Sequence, residues 1–151
     1  MSIKIDIKIP LYPTEKRERV LRCIENLVEG KINDIKEEEY RDYKILTIPN
    51  VPVNILSRIF SEIRQKKILD TVRECIEIDR MHNAVIIYLH KQALYNNKIA
   101  IITSDTTSSL GYVELWIYTE DPDKVLDWLA TKTIKGVEIE KHEFNEIFEM
   151  E

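Results

Sequence analysis

Residues 84–89 read Ala-Val-Ile-Ile-Tyr-Leu, apolar at odd and even positions alike, and residues 99–102 repeat the pattern as Ile-Ala-Ile-Ile. Continuous apolar runs of this length imply strands covered on both faces. The chain therefore needs a sheet with an interior, and something to cover each side of it. The N-terminus supplies the contrast. Ile3, Ile5, Ile7 and Ile9 point one way while Ser2, Lys4, Asp6 and Lys8 point the other, which is the period of a half-buried strand. Pro10 to Pro13 stop that strand, and Gly111 opens another that runs to Tyr118.

Helical spacing fills the intervals. Thr14 and Glu15 predict a capped helix start, Val20, Leu21, Ile24, Leu27 and Val28 its buried stripe, and Gly30 its end. Strands are expected at about Lys31 to Glu39 and Tyr43 to Pro49, joined by a turn at Tyr40 to Asp42. Pro52 opens a second helix carrying Val53, Leu56, Ile59, Phe60 and Ile63. Ile68, Leu69, Val72, Cys75 and Ile76 keep the same spacing, so residues 52–80 hold either one long helix or two. Asp121 and Pro122 start a last helix with Val125, Leu126, Trp128 and Leu129 inside. An acidic tail, about 137–151, docks through Ile139, Phe144, Ile147 and Phe148. The expectation is one α+β domain over residues 1–151: a mostly antiparallel sheet with helices on one face, the second face partly covered by a dimer partner or the tail.

At 151 residues the chain can bury a core without staples. A formal charge of -5 argues against a generally basic nucleic-acid binder, although a local basic face is compatible with it. Three glycines, many isoleucines and 32% charged residues give a thermophile-like profile. Cys23 and Cys75 lack metal or redox spacing and read as reduced thiols on apolar helix faces. No segment approaches the ~20 apolar residues of a membrane span, and a cytoplasmic protein is expected.

Catalytic signatures are missing from the pattern. His82, His90 and His142 have no partner at ligand spacing, so neither a metal nor another cofactor is expected. Glu37 to Glu39 read as a solvated strand end, and Asp121 with Asp123 as a helix start. The hydroxyl-rich stretch Thr103 to Gly111 reads as a hairpin loop, without a nucleophile–base signature or a glycine-rich phosphate cradle.

Two surfaces remain. Arg64, Lys66, Lys67, Arg73, Lys91 and Gln92 run against the acidic average and are the candidate RNA or phosphate contacts. Pairing with Glu62, Asp70 and Glu74 is the competing explanation. Tyr112, Trp116 and Tyr118 share one face of a strand and, since no basic residues interleave with them, form the candidate dimer or partner surface. The expected function is a non-enzymatic homodimeric binding module. The alternatives are a protein-interaction or scaffolding subunit and, behind it, a small-molecule enzyme using Lys91 and the hydroxyl-rich loop.

The run Arg64-Gln65-Lys66-Lys67-Ile68-Leu69-Asp70-Thr71-Val72-Arg73 is similar to a hallmark of an archaeal uncharacterised protein family, number 0201. So are Leu89-His90-Lys91-Gln92-Ala93, Leu110-Gly111, Asp127-Trp128-Leu129-Ala130 with Thr133 and Gly136, and the Tyr12-Pro13-Thr14-Glu15 turn. The resemblance implies archaeal origin, dimeric assembly and a fold like that of the large-subunit ribosomal protein that holds the smallest ribosomal RNA. It implies no catalytic residues, and an association with RNA or translation only by fold analogy.

Overall fold

The computed structural model describes residues 3–29, 32, 34–105 and 110–150. Among them, seven strands form one antiparallel sheet: β1 (Lys4–Leu11), β2 (Lys36–Glu39), β3 (Lys44–Val51), β4 (Glu77–Asp79), β5 (Ala84–His90), β6 (Ile101–Ile102) and β7 (Tyr112–Tyr118). Their order is β2-β3-β1-β7-β5-β4, and β6 shares the flank of β5 with β4. The N-terminal strand is thus central, between β3 and β7.

The period-two reading of β1 sets the sidedness. Ile5, Ile7 and Ile9 lie on one face with Val113, Leu115 and Ile117 of β7, and all six are fully buried or nearly so. Against that face pack α1 (Arg17–Val28), α2 (Leu56–Gln65), α3 (Leu69–Cys75), α4 (Lys91–Tyr95), α5 (Pro122–Leu129) and α6 (Glu146–Glu149), which contribute to one apolar cluster. Ladder pairing satisfies the backbone and area burial drives the packing.

β5 is buried on both faces, as its composition requires. The outward side chains Ile86 and Tyr88 are only 5% and 6% exposed. Their cover comes from the sheet itself: Ile86 lies opposite Trp116, and the Tyr88 ring meets Tyr112 edge-on at 4.9 Å. The tail packs on the helical side, where Phe144 meets Phe60 and Trp128, and the Trp128 indole donates to the Glu143 carbonyl at 2.9 Å.

Residues 52–80 form two helices. A single turn of 3-10 helix (Val53–Ile55) leads into α2, and Lys67 adopts a left-handed conformation that ends it before α3. The apolar spacing persists across this break, which is why the pattern left one helix or two open. Short β4 has too few residues to show a period.

Three local expectations are corrected. Thr14 does not cap α1; Lys16 occupies that position without a side-chain bond, because residues 12–15 close a turn through Glu15 N–H to the Tyr12 carbonyl. At the other end Glu29 takes the left-handed position, while the expected stop at Gly30 lies outside the described residues. The Thr103–Gly111 stretch is not a hairpin loop, since β6 and β7 flank β5 on opposite sides. Its residues 106–109 lie outside the described residues. Finally, residues 99–102 contribute only the two-residue β6, half-buried, because β4 occupies the rest of that edge.

Candidate nucleic-acid interface

At the end of the sheet where β1 and β5 finish and β7 begins, three sequence motifs converge on one buried cation. Lys91 follows directly on β5, and its ammonium donates to Glu15 Oε1 at 2.7 Å, the Pro10 carbonyl at 2.5 Å and the Leu110 carbonyl at 3.1 Å. An ammonium has three protons, and here each has an acceptor. Burial lowers the Lys91 pKa below the ordinary lysine value, and the Glu15 carboxylate opposes that shift. Lys91 therefore holds the Tyr12–Glu15 turn, the start of α4 and the Leu110–Gly111 segment together, and its charge is spent inside the protein.

Around this buried pair the surface is basic and aromatic. A cavity of about 410 Å³ lies between α1 and α4, lined by Thr14, Lys16, Arg19, His90, Gln92 and Tyr95 among others. The helices are fixed to each other by Asn26, whose amide donates to the Leu94 and Tyr95 carbonyls at 2.9 and 3.1 Å and so satisfies the end of α4. His90 Nδ1 accepts from Ala93 N–H at the start of α4. The guanidinium of Arg19 lies 4.7 Å over the Tyr95 ring, with Arg22 at 6.0 Å. Lys16, Arg19 and Arg22 are exposed, and none makes an ion pair within the described residues. Cys23 lines the floor, with burial pushing its thiol up to about 11. A second cavity, lined by Tyr12, Tyr40, Tyr43, Arg17, Arg41 and Lys44, adjoins the first, and Glu15 borders both.

A cleft beside α5 and α6 is lined by Asp121, Asp123, Asp127, Glu140, Glu146 and Glu149. A protein of net negative charge can thus present a local cationic surface at α1.

Of the six basic and polar residues expected from sequence, Lys91 and Gln92 fall at this interface, Gln92 exposed along the groove and Lys91 beneath it. Arg64 and Arg73 serve a separate construction. Arg64 lies 3.5 Å over the Phe60 ring and donates to the carbonyls of Phe60, Trp128 and Leu129 at 3.2, 2.8 and 3.0 Å. Arg73 donates to the Ala130 carbonyl at 2.9 Å and pairs with Asp127 at 2.7 Å. Together they neutralise the carbonyl end of α5, the negative pole of its dipole. Lys66 is exposed and pairs with Glu62 at 3.4 Å, and Lys67 is exposed at the α2–α3 break.

Tyr112, Trp116 and Tyr118 stand half-buried on the outer face of the sheet. Trp116 and Tyr118 stack at 6.0 Å, with Lys8 4.3 Å over Trp116 and Lys4 5.7 Å over Tyr118. Basic residues do interleave with these aromatics, but from the neighbouring strand β1 rather than along β7. The Lys4/Lys8 alternation was legible; that β1 pairs with β7 was not. Lys16, Arg19, Tyr95 and the three tyrosines of the second cavity were not among the contact residues expected from sequence, although Tyr12 belongs to the turn that carries the family resemblance. The i,i+3 spacing of Lys16 and Arg19 was the available signal.

A family model described as RNA binding matches residues 4–117. A UPF0201 protein of Thermococcus kodakarensis is 34% identical over 139 residues, covering 91% of this chain and 96% of the relative. One from Aeropyrum pernix is 32% identical over 139 residues, covering 89% of each. The crystal structure of a UPF0201 protein from Methanococcus jannaschii shares the fold at a TM-score of 0.65 and 24% identity, covering 91% of this chain and 99% of that one.

Proposed function

Because this chain belongs to the archaeal UPF0201 family and matches the model described as RNA binding, we propose that it is a non-enzymatic RNA-binding module acting as a homodimer. The observation that carries the RNA reading is the exposed row Lys16, Arg19 and Arg22 beside Tyr95 and Gln92. Cations without carboxylate partners meet phosphates, and an aromatic ring beside them meets bases. Lys66 and Lys67 are a smaller, outlying cationic patch. The outer sheet face at Tyr112, Trp116 and Tyr118 is the proposed contact between copies, since half-exposed aromatic rows suit a self-complementary interface.

Fluorescence anisotropy of a labelled single-stranded RNA over a range of salt tests the RNA reading. Three phosphate contacts give a slope of log affinity against log salt of about -2 for a single strand. Charge reversal at Lys16 and Arg19 should flatten the slope and weaken binding strongly. Reversal at Lys66 and Lys67 should have a smaller effect. Binding indifferent to salt, or to the Lys16/Arg19 reversal, refutes the assignment.

A further inference from the structure

The second cavity at this end of the sheet has a geometry of its own. The Tyr40 and Tyr43 rings are within 11° of parallel with centroids 5.4 Å apart, and Tyr43 lies 5.0 Å from Tyr12 at 33°. Two chain segments are shaped to build this row. Tyr40 N–H donates to the Tyr43 carbonyl at 2.8 Å and closes the β2–β3 turn. Tyr12 N–H donates to Glu15 Oε1 at 3.1 Å, the oxygen that also accepts from Lys91. Gly111 supplies the clearance: its φ is +76°, and a Cβ there would lie 2.8 Å from Pro10 Cγ and 3.4 Å from Tyr12 Oη.

The space these rings border is about 390 Å³, within the roughly 300–1,000 Å³ of small-molecule sites. Tyr40 is 49% exposed, so its ring is reachable from solvent. At the rim, Arg17 pairs with Glu37, and Lys44 with Glu37 and Glu39. Arg41 is exposed and makes no ion pair within the described residues. Glu39 and Asp42, also at the rim, offer acceptors to the amino group of a base. Two near-parallel tyrosine rings, a third tilted beside them and an exposed guanidinium at the rim suit a planar heterocycle carrying a phosphate.

Resting on the RNA reading, we infer that the Tyr12–Tyr43–Tyr40 cavity receives one unstacked base of a single-stranded RNA whose backbone follows Arg41 and the α1 cations. A duplex keeps its bases stacked and cannot supply one.

The test compares labelled single-stranded RNA with the duplex of the same sequence on the full chain. Tyr40 is exposed, so Tyr40→Ala leaves the fold intact, and Tyr40→Trp keeps a stacking surface. Tyr40→Ala is expected to weaken single-strand binding about tenfold, leave duplex binding unchanged, and be rescued by Tyr40→Trp. A strand with one abasic position should lose affinity for the wild type and little for Tyr40→Ala. Undiminished single-strand binding by Tyr40→Ala, or equal loss on both substrates, overturns the base pocket and leaves the RNA reading standing. Failure of the wild type to bind either RNA overturns both.

Discussion

Lys91 Nζ and Glu15 Oε1 lie 2.7 Å apart with their side chains only 6% and 11% exposed, joining the end of β5 to the turn between β1 and α1. The pair links segments 76 residues apart in sequence. Removing one partner leaves a buried charge without compensation, which costs about 3–5 kcal/mol, whereas removing both is far milder. Lys91→Met is therefore expected to destabilise by about that amount in urea unfolding, and Lys91→Met/Glu15→Gln by clearly less. Additive costs would show that the two residues do not act as a pair.

The Cys23 thiol gives the fold a signature at alkaline pH. Burial raises its pKa from 9.0 to about 11. A raised acid pKa means that the unfolded chain loses the proton first, so stability is full below pH 9 and falls as pH rises from about 9 to about 11. Two units correspond to about 2–3 kcal/mol. Tyr12, Tyr112 and Tyr118, raised mainly by burial, push the same way. Cys23→Ala should flatten the decline measured by urea midpoints across that window, and an unchanged decline would remove the thiol from the explanation.

Arg64 is expected to matter for α5 rather than for RNA. Its guanidinium serves the Trp128 and Leu129 carbonyls while lying on Phe60, and burial lowers its pKa against the pull of Glu138, Glu143 and Glu146. Arg64→Ala should cost about 2–3 kcal/mol. Arg64→Lys should recover less than half of it, since an ammonium cannot reproduce the planar fork. RNA affinity at full folding should be unaffected; a selective loss of RNA affinity without loss of stability would reassign the residue.

The outer sheet face yields a prediction about mass. Trp116→Glu places a charge amid the aromatic row and should convert a dimer to a folded monomer in light scattering behind gel filtration. Lys8→Ala, which removes the cation over Trp116, should have a lesser effect of about 0.5–1 kcal/mol. A wild type that runs as a monomer at micromolar concentration contradicts the dimer directly.

Legibility from sequence followed local period and failed at pairing. The alternation of Ile3 to Ile9 marked a half-buried strand and the unbroken run at 84–89 one covered on both faces, because side-chain period is a property of each strand alone. Which strand neighbours which is decided by long-range contacts that leave no local mark. Lys4 and Lys8 could not be set beside Tyr118 and Trp116 without the β1–β7 register. Charge was misleading for a related reason. Arg64, Arg73 and Lys91 look like a basic patch in the chain, yet each donates to carbonyl oxygens that only the fold brings within reach. Lys16, Arg19 and Arg22, which make no ion pair within the described residues, sit among Glu15, Glu18 and Glu25, and Glu18 and Arg22 share the i,i+4 spacing of a helical ion pair, so spacing alone does not reveal which cations stay open.

The most direct measurement is crosslinking of a 4-thiouridine-labelled single-stranded RNA, followed by mass-spectrometric mapping of the attached peptides. RNA at the Lys91–Glu15 end of the sheet should label peptides spanning Tyr12 to Arg22, Tyr40 to Lys44 and His90 to Tyr95. Crosslinks confined to the Lys66–Lys67 region or to the Trp116 face would contradict that placement.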